Sequence, residues 1–172
     1  FLISSVAGTP HTKSAYGRGK YEALQLCEER GARAALVGLV TEPDPVRGPY
    51  RLLRQVARRL PFAFRIRGPV PPVFPVQRAI FAEAMLRLAL DPNPPARAGV
   101  FEAPIDFNRF MTSVEAHFPR RRLTLRCSAR TLLGLADAGR RLRIVPAKLC
   151  DQVLTFFYKD SEFLLGPSVV PY

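Results

Sequence analysis

The sequence predicts an all-α domain of about seven helices stacked as helical hairpins, a short α-solenoid with an extended N-terminal arm and C-terminal tail. Three observations predict it. Apolar residues recur at helical spacing through most of residues 20–160. Glycine and proline punctuate those runs where helices would end. The segment Ser128–Asp160 reads as two amphipathic helices joined by a short basic link, the unit of such a stack. The expected organisation is an arm over 1–19, a helical-hairpin domain over 20–160 and a tail over 161–172.

In chain order, Phe1–Gly19 has no helical period; FLISSVAG reads as a short strand or an extended arm. Lys20–Arg30 forms a first helix on Tyr21, Leu24 and Cys27, closed by Gly31. Ala32–Val40 is apolar throughout and fits strand or helix. Its Ala and Leu content, directly after a helix, favours helix, with Glu42-Pro43-Asp44-Pro45 as its stop. Pro49–Leu60 places Tyr50, Leu53, Val56 and Leu60 on one face, with arginines opposite. Pro61–Pro75 is proline-rich and reads as an extended connection.

Val76–Leu90 has a broad apolar face, which suggests central burial, and ends at Asp91-Pro92. Asp106 can cap a helix carrying Phe107, Phe110, Met111, Val114 and Phe118 at helical steps. Arg120–Cys127 is a basic, alternating link. Ser128 caps the next helix, with Ala129, Leu132, Leu133 and Ala136 inward and Gly139 closing. Pro146 suits the first turn of the last helix, whose stripe is Leu149, Val153, Phe156 and Phe157. Ser161–Tyr172 reads as a non-helical tail.

At 172 residues and 48% apolar, the chain can build one real core. No run of about 18 apolar residues predicts a membrane span. Twenty-six Lys and Arg against 14 Asp and Glu give a net charge of +12, which attracts nucleic acid, anionic lipid or an acidic protein surface. Three widely spaced cysteines, Cys27, Cys127 and Cys150, argue against a disulfide framework and fit a reducing compartment. The start at Phe1 fits a removed leader or a missing N-terminus, and with the charge it points to the mitochondrial matrix.

Candidate chemistry is sparse. Gly8–Ser14 follows an apolar run but lacks the glycine spacing that wraps phosphates. His11 and His117 have no metal-spaced partners, and the cysteines have no nearby base. No catalytic, cofactor-binding or metal residue is expected. Arg120, Arg121, Arg122 and Arg126 before the helix that starts after Ser128, and Arg140, Arg141 and Arg143 at its far end, are the partner-binding candidates. That helix is roughly 17 Å long, so the two clusters cannot form one phosphate pocket.

Tyr21-Glu22-Ala23-Leu24-Gln25-Leu26-Cys27-Glu28-Glu29-Arg30-Gly31 resembles the second helix of a pentatricopeptide repeat, and the hairpin over 128–160 is similar to organellar helical repeats. The resemblance covers about a third of the chain. It extends to the small pentatricopeptide-like accessory subunits of euglenozoan mitochondrial ATP synthase. It implies a non-catalytic accessory subunit of a large mitochondrial complex, docked on the catalytic head of ATP synthase. The alternative is a mitochondrial ribosomal or other RNA-binding protein, with the arginine clusters on rRNA phosphates. Neither reading calls for a cofactor.

Overall fold

The apolar run Ala34–Val37, expected to be helical, is the central strand of a parallel sheet. The computed structural model describes residues 1–42, 45, 48–143 and 147–172. In chain order its elements are β1 (Leu2–Ser5), α1 (Ala15–Glu29), β2 (Ala34–Val37), β3 (Leu39–Thr41), α2 (Pro49–Arg59), β4 (Phe62–Arg67), β5 (Pro75–Gln77), α3 (Arg78–Leu90), β6 (Arg97–Val100), α4 (Phe107–Ala116), β7 (Leu123–Ser128), α5 (Ala129–Arg141), α6 (Ala147–Phe157), α7 (Ser161–Leu165) and β8 (Val170–Pro171). This is an α/β fold, and the all-α hairpin stack is overturned.

The main sheet has the order β1-β2-β6-β8, and every pairing in it is parallel. Ala34, Ala35, Leu36 and Val37 are all buried, because helices cover both faces of the sheet. Side chains alternate between those faces. Ala34 and Leu36 pack with Leu24 of α1 and Leu164 of α7. Ala35 and Val37 pack with Ala84 and Leu88 of α3. Such a strand has no polar alternation, so periodicity alone cannot separate it from a buried helical segment. Residues 1–19 and 161–172, expected as arm and tail, supply β1 and β8 to this sheet. Pro171 is tolerated because β8 is an edge strand.

Two smaller parallel ladders, β3 with β5 and β4 with β7, carry the chain into a second region. The proline-rich connection and the basic link of the sequence therefore contain strands. Both FAFRIR and LTLRCS alternate, and they pair from Phe62 with Leu123 through Arg67 with Ser128. This region has its own core of Tyr50, Ile66, Phe107, Phe110, Met111 and Phe156. Asn108 of α4 ties β4 in place: its amide oxygen accepts from Ile66 N at 2.8 Å, and its amide nitrogen donates to Ile66 O at 2.9 Å. The buried Glu115 takes two hydrogen bonds from Arg65, at 3.1 and 2.5 Å.

Several local expectations hold. Asp106 caps α4 by accepting from Arg109 N at 2.9 Å, and Ser128 caps α5 by accepting from Thr131 N at 3.0 Å. α2 and α3 lie within a residue or two of their expected spans. α5 runs past Gly139 to Arg141. The central burial expected for Val76–Leu90 is not found: α3 covers one face of the sheet, leaving Leu86 and Leu90 exposed. Pro146, and Pro43 and Asp44 of the expected stop, lie outside the described residues.

Leu36→Ala should lower the unfolding free energy by about 2–5 kcal/mol in urea titrations, because the strand cannot close around the cavity. Leu26→Ala, on the exposed side of α1, should change it by less than about 0.5 kcal/mol. Equal effects would mean that β2 is not the buried centre.

Candidate functional site

In a parallel sheet the strands' carboxyl ends open together, and ligands bind in the crevice beyond them. Here β1 ends at Ser5 and β2 at Val37. A cavity of about 560 Å³ lies at those ends, lined by residues after both strands, by α1, by the start of α2 and by α6 with the turn after it. That volume suits a small organic ligand.

Tyr16 and Lys20 enter this cavity from α1. They are four residues apart, so both lie on one face of the helix. The Lys20 ammonium sits 5.9 Å from the centre of the Tyr16 ring and reaches the Ile3 carbonyl at 3.4 Å. Tyr16 is half-exposed, with its ring open to the cavity. Ser4 and Ser5 close β1. Ser4 is buried and donates to the Lys20 carbonyl at 3.4 Å, which ties the strand to the helix. Ser5 Oγ accepts from Ala7 N at 3.2 Å and lines the cavity, with its hydroxyl proton available to a ligand.

The position of Tyr16 is set by the first turn of α1. Ser14 caps the helix, accepting from Gly17 N at 2.8 Å. The Asp151 carboxylate of α6 accepts from Ala15 N at 2.6 Å and from Tyr16 N at 3.1 Å. Two of the free N-terminal amides are thus satisfied by a residue far along the chain, and the negative charge suits that end of the helix. Gly17 leaves no room for a side chain: a Cβ there would stand 2.2 Å from Thr12 Oγ1 and 2.6 Å from Ala7 O. The Gly8–Ser14 segment is therefore a packed turn and helix cap; Thr9, which accepts from Asp160 N at 3.2 Å, holds it to the C-terminal region.

Lys159 also lines the cavity. Its ammonium lies 5.3 Å from the centre of the Phe156 ring and 5.9 Å from that of Phe74. Among the described residues it makes no hydrogen bond or ion pair. Burial pushes it down from an ordinary 10.5 to about 8. A second cavity of about 540 Å³, between α1, α5 and α6, is lined by Asp137 and Arg140, which bond each other at 2.7 Å.

The seven arginines expected to bind a partner are scattered over several tasks. Arg120 donates to the carbonyls of Arg58, at 2.9 Å, Arg59, at 3.1 Å, and Leu60. Arg122 donates to Ala57 O at 2.7 Å and Phe118 O at 2.9 Å. These two satisfy carbonyls in the last turn of α2 and just past the ends of α2 and α4. Arg126 is exposed on β7 opposite Arg65. Arg140 and Arg141 both reach Asp137, at 2.7 and 2.9 Å, and hold its carboxyl below the usual range, chiefly through the Arg140 hydrogen bond. Arg121 and Arg143 are exposed. Cys150 is buried and donates to Ala136 O at 3.2 Å, and burial raises the Cys127 thiol. No group of three or more His, Cys, Asp or Glu among the described residues could hold a metal ion. None of their helices is long and apolar enough to cross a membrane.

The residues that do converge, Ser5, Tyr16 and Lys20, were not candidates from the sequence. The signal was present as Tyr-x-x-x-Lys behind a strand ending in Ser-Ser. Starting the first helix at Lys20 instead of Ala15 split the pair. The 172 residues hold no Gly-x-Gly-x-x-Gly sequence, the fingerprint of the dinucleotide-binding turn in many doubly wound folds.

No family model and no curated protein sequence matches the chain. Solved structures do. The crystal structure of gox2253 matches with a TM-score of 0.56 and 15% identity, over 94% of this chain and 57% of that one. A monomeric L-threonine 3-dehydrogenase from a metagenome, in its apo form, matches with a TM-score of 0.50 and 14% identity, over 93% of this chain and 60% of that one. The chain thus spans about three-fifths of the length of these structures. At such identities the likeness is one of fold, and the fold is one that an enzyme uses. It overturns the pentatricopeptide resemblance: Tyr21–Gly31 is the second half of a crossover helix and the turn after it, between parallel strands. The expected accessory subunit on the ATP synthase head falls with it, and the rRNA-binding alternative gains no support.

Asp151→Ala should cost about 0.5–2 kcal/mol, the range for losing a helix cap, and speed amide exchange at Ala15 and Tyr16. A variant with unchanged exchange there would show that Asp151 does not hold the helix start. Lys159 gives a pH dependence. Between about pH 8 and its ordinary 10.5 the unfolded chain binds the proton that the folded chain has lost, so this residue's contribution to stability rises with pH across that window. The stability deficit of wild type relative to Lys159→Met should shrink as pH rises through it. A difference that stays constant would contradict a desolvated ammonium at Lys159.

Proposed function

We propose that this chain carries the substrate side of a dehydrogenase-type site, acting on an alcohol or on the carbonyl it interconverts with. The pairing of Tyr16 with Lys20 in the cavity that also holds Ser5 carries this reading. In the reductive direction the Tyr16 hydroxyl gives its proton to the carbonyl oxygen as the carbon is reduced. The Lys20 ammonium stabilises the negative charge left on the tyrosine oxygen. The Ser5 hydroxyl hydrogen-bonds the same substrate oxygen and fixes its position. The alcohol direction reverses each step. These residues move a proton; the two electrons come with a hydride carrier, which they do not supply. The fold shared with a structure named as an L-threonine 3-dehydrogenase supports the reading.

The test is turnover by the intact protein with short-chain ketones and secondary alcohols, followed by nicotinamide absorbance. Tyr16→Phe should lower kcat/KM by about 100-fold or more, the usual worth of a positioned proton donor, while leaving the melting temperature near that of wild type. Turnover insensitive to Tyr16→Phe, or no turnover of any carbonyl or alcohol, would contradict it.

A further inference from the structure

Lys159 lines this cavity, and among the described residues its ammonium has no hydrogen bond or ion pair. A buried ammonium is ordinarily paired, because removing it from water is costly. Lys159 is held over the Phe74 and Phe156 rings, 5.9 and 5.3 Å from their centres, and these offer faces but no acceptor atom.

The two carboxylates that share the cavity are committed elsewhere. Glu42 accepts from Arg78 at 3.0 Å, and Asp151 accepts from the Ala15 and Tyr16 amides. Beside Lys159 in the chain, Asp160 caps α7, accepting from Phe163 N at 2.9 Å, and lies 3.7 Å from the exposed His11 ring. Tyr158 carries the Lys13 ammonium, 4.5 Å from its ring centre. The remaining titratable groups of the cavity are Tyr16, Lys20 and Tyr50. None of these groups neutralises Lys159, and Lys20 adds a second positive charge to the same space.

We propose that Lys159 anchors an anionic group, a carboxylate or a phosphate, on the ligand that occupies this cavity. The inference rests on the reading of the cavity as a substrate site and narrows the substrate class: a small carbonyl or hydroxyl compound that also bears a negative charge. The anion would supply the charge-assisted hydrogen bonds that the protein leaves unmade at Lys159. Tyr16 and Lys20 would act at the reacting oxygen, and Lys159 would hold the other end.

Calorimetric titration of the chain with malonate, and separately with inorganic phosphate, at constant ionic strength and about pH 7 tests this. Wild type should bind at least one probe saturably, and which one binds distinguishes the two anion chemistries. Lys159→Gln should weaken that binding by about tenfold or more, and Lys159→Arg should retain most of it. In a Tyr16→Phe background the binding should still depend on Lys159, so loss of turnover and loss of anion binding are separable. Above about pH 9, where Lys159 is neutral, wild-type affinity should fall towards that of Lys159→Gln. If Lys159→Gln proves too unstable, reductive ¹³C-methylation of the lysines gives a second readout: added anion should raise the pH midpoint of the Lys159 signal. Unchanged affinity in Lys159→Gln, an unmoved midpoint, or no saturable binding of either probe would overturn the proposal. Turnover insensitive to Tyr16→Phe alongside Lys159-dependent binding would instead overturn only the catalytic reading.

Discussion

Parallel pairing of β2 with β1 on one side and β6 on the other is the constraint from which the rest of the molecule follows. Parallel neighbours cannot be joined by a tight turn, so the chain must cross over the sheet between them. α1 makes that crossing from β1 to β2. A much longer excursion, holding α2, the two small ladders and α3, separates β2 from β6. Each crossing covers a face of the sheet, which is why all four residues of β2 are buried and apolar. The same arrangement sends β1 and β2 out at one end, and the cavity forms there.

The second determinant is the start of α1. Its first turn is fixed by Ser14 from its own segment and by Asp151 from α6. That tertiary contact joins the sheet to the second region and sets the angle at which Tyr16 and Lys20 face the cavity. The anion site proposed at Lys159 lies just beyond the end of α6, the helix that supplies Asp151. One helix and the turn after it thus position Tyr16 and Lys20, the pair proposed to transfer the proton, and carry the group proposed to hold the substrate's far end.

Parts of this were legible in the chain and parts were not. Amphipathic helices with side-chain caps could be read directly: Asp106 and Ser128 cap where their spacing predicts, because a capping bond is local. The main-sheet strands were hidden because they are short and, for β2, apolar on both faces, which removes the alternation that marks a strand. β4 and β7 do alternate, but each lies in a proline-rich or basic stretch that composition alone reads as linker. The candidate site was missed for one physical reason. Ser14 does cap the true N-terminus of α1, but Gly17 and Gly19, both poor helix formers, fall in its first turns and read as loop, so local signals place the helix start after Tyr16. Nor does the sequence show which arginines of the two clusters are already committed within the chain. Arg120 and Arg122 look like a docking surface in sequence, yet each spends its charge on the protein's own helix ends.

The sheet brings Tyr16 and Lys20 to one cavity, where we propose that a carbonyl oxygen is protonated. A crystal structure of the protein soaked with a short-chain keto acid would show this. The ketone oxygen should lie within hydrogen-bond distance of Tyr16 Oη and Ser5 Oγ, about 2.6–3.2 Å. A ligand bound in this cavity with its carbonyl turned away from both hydroxyls, or bound only elsewhere on the protein, would contradict it.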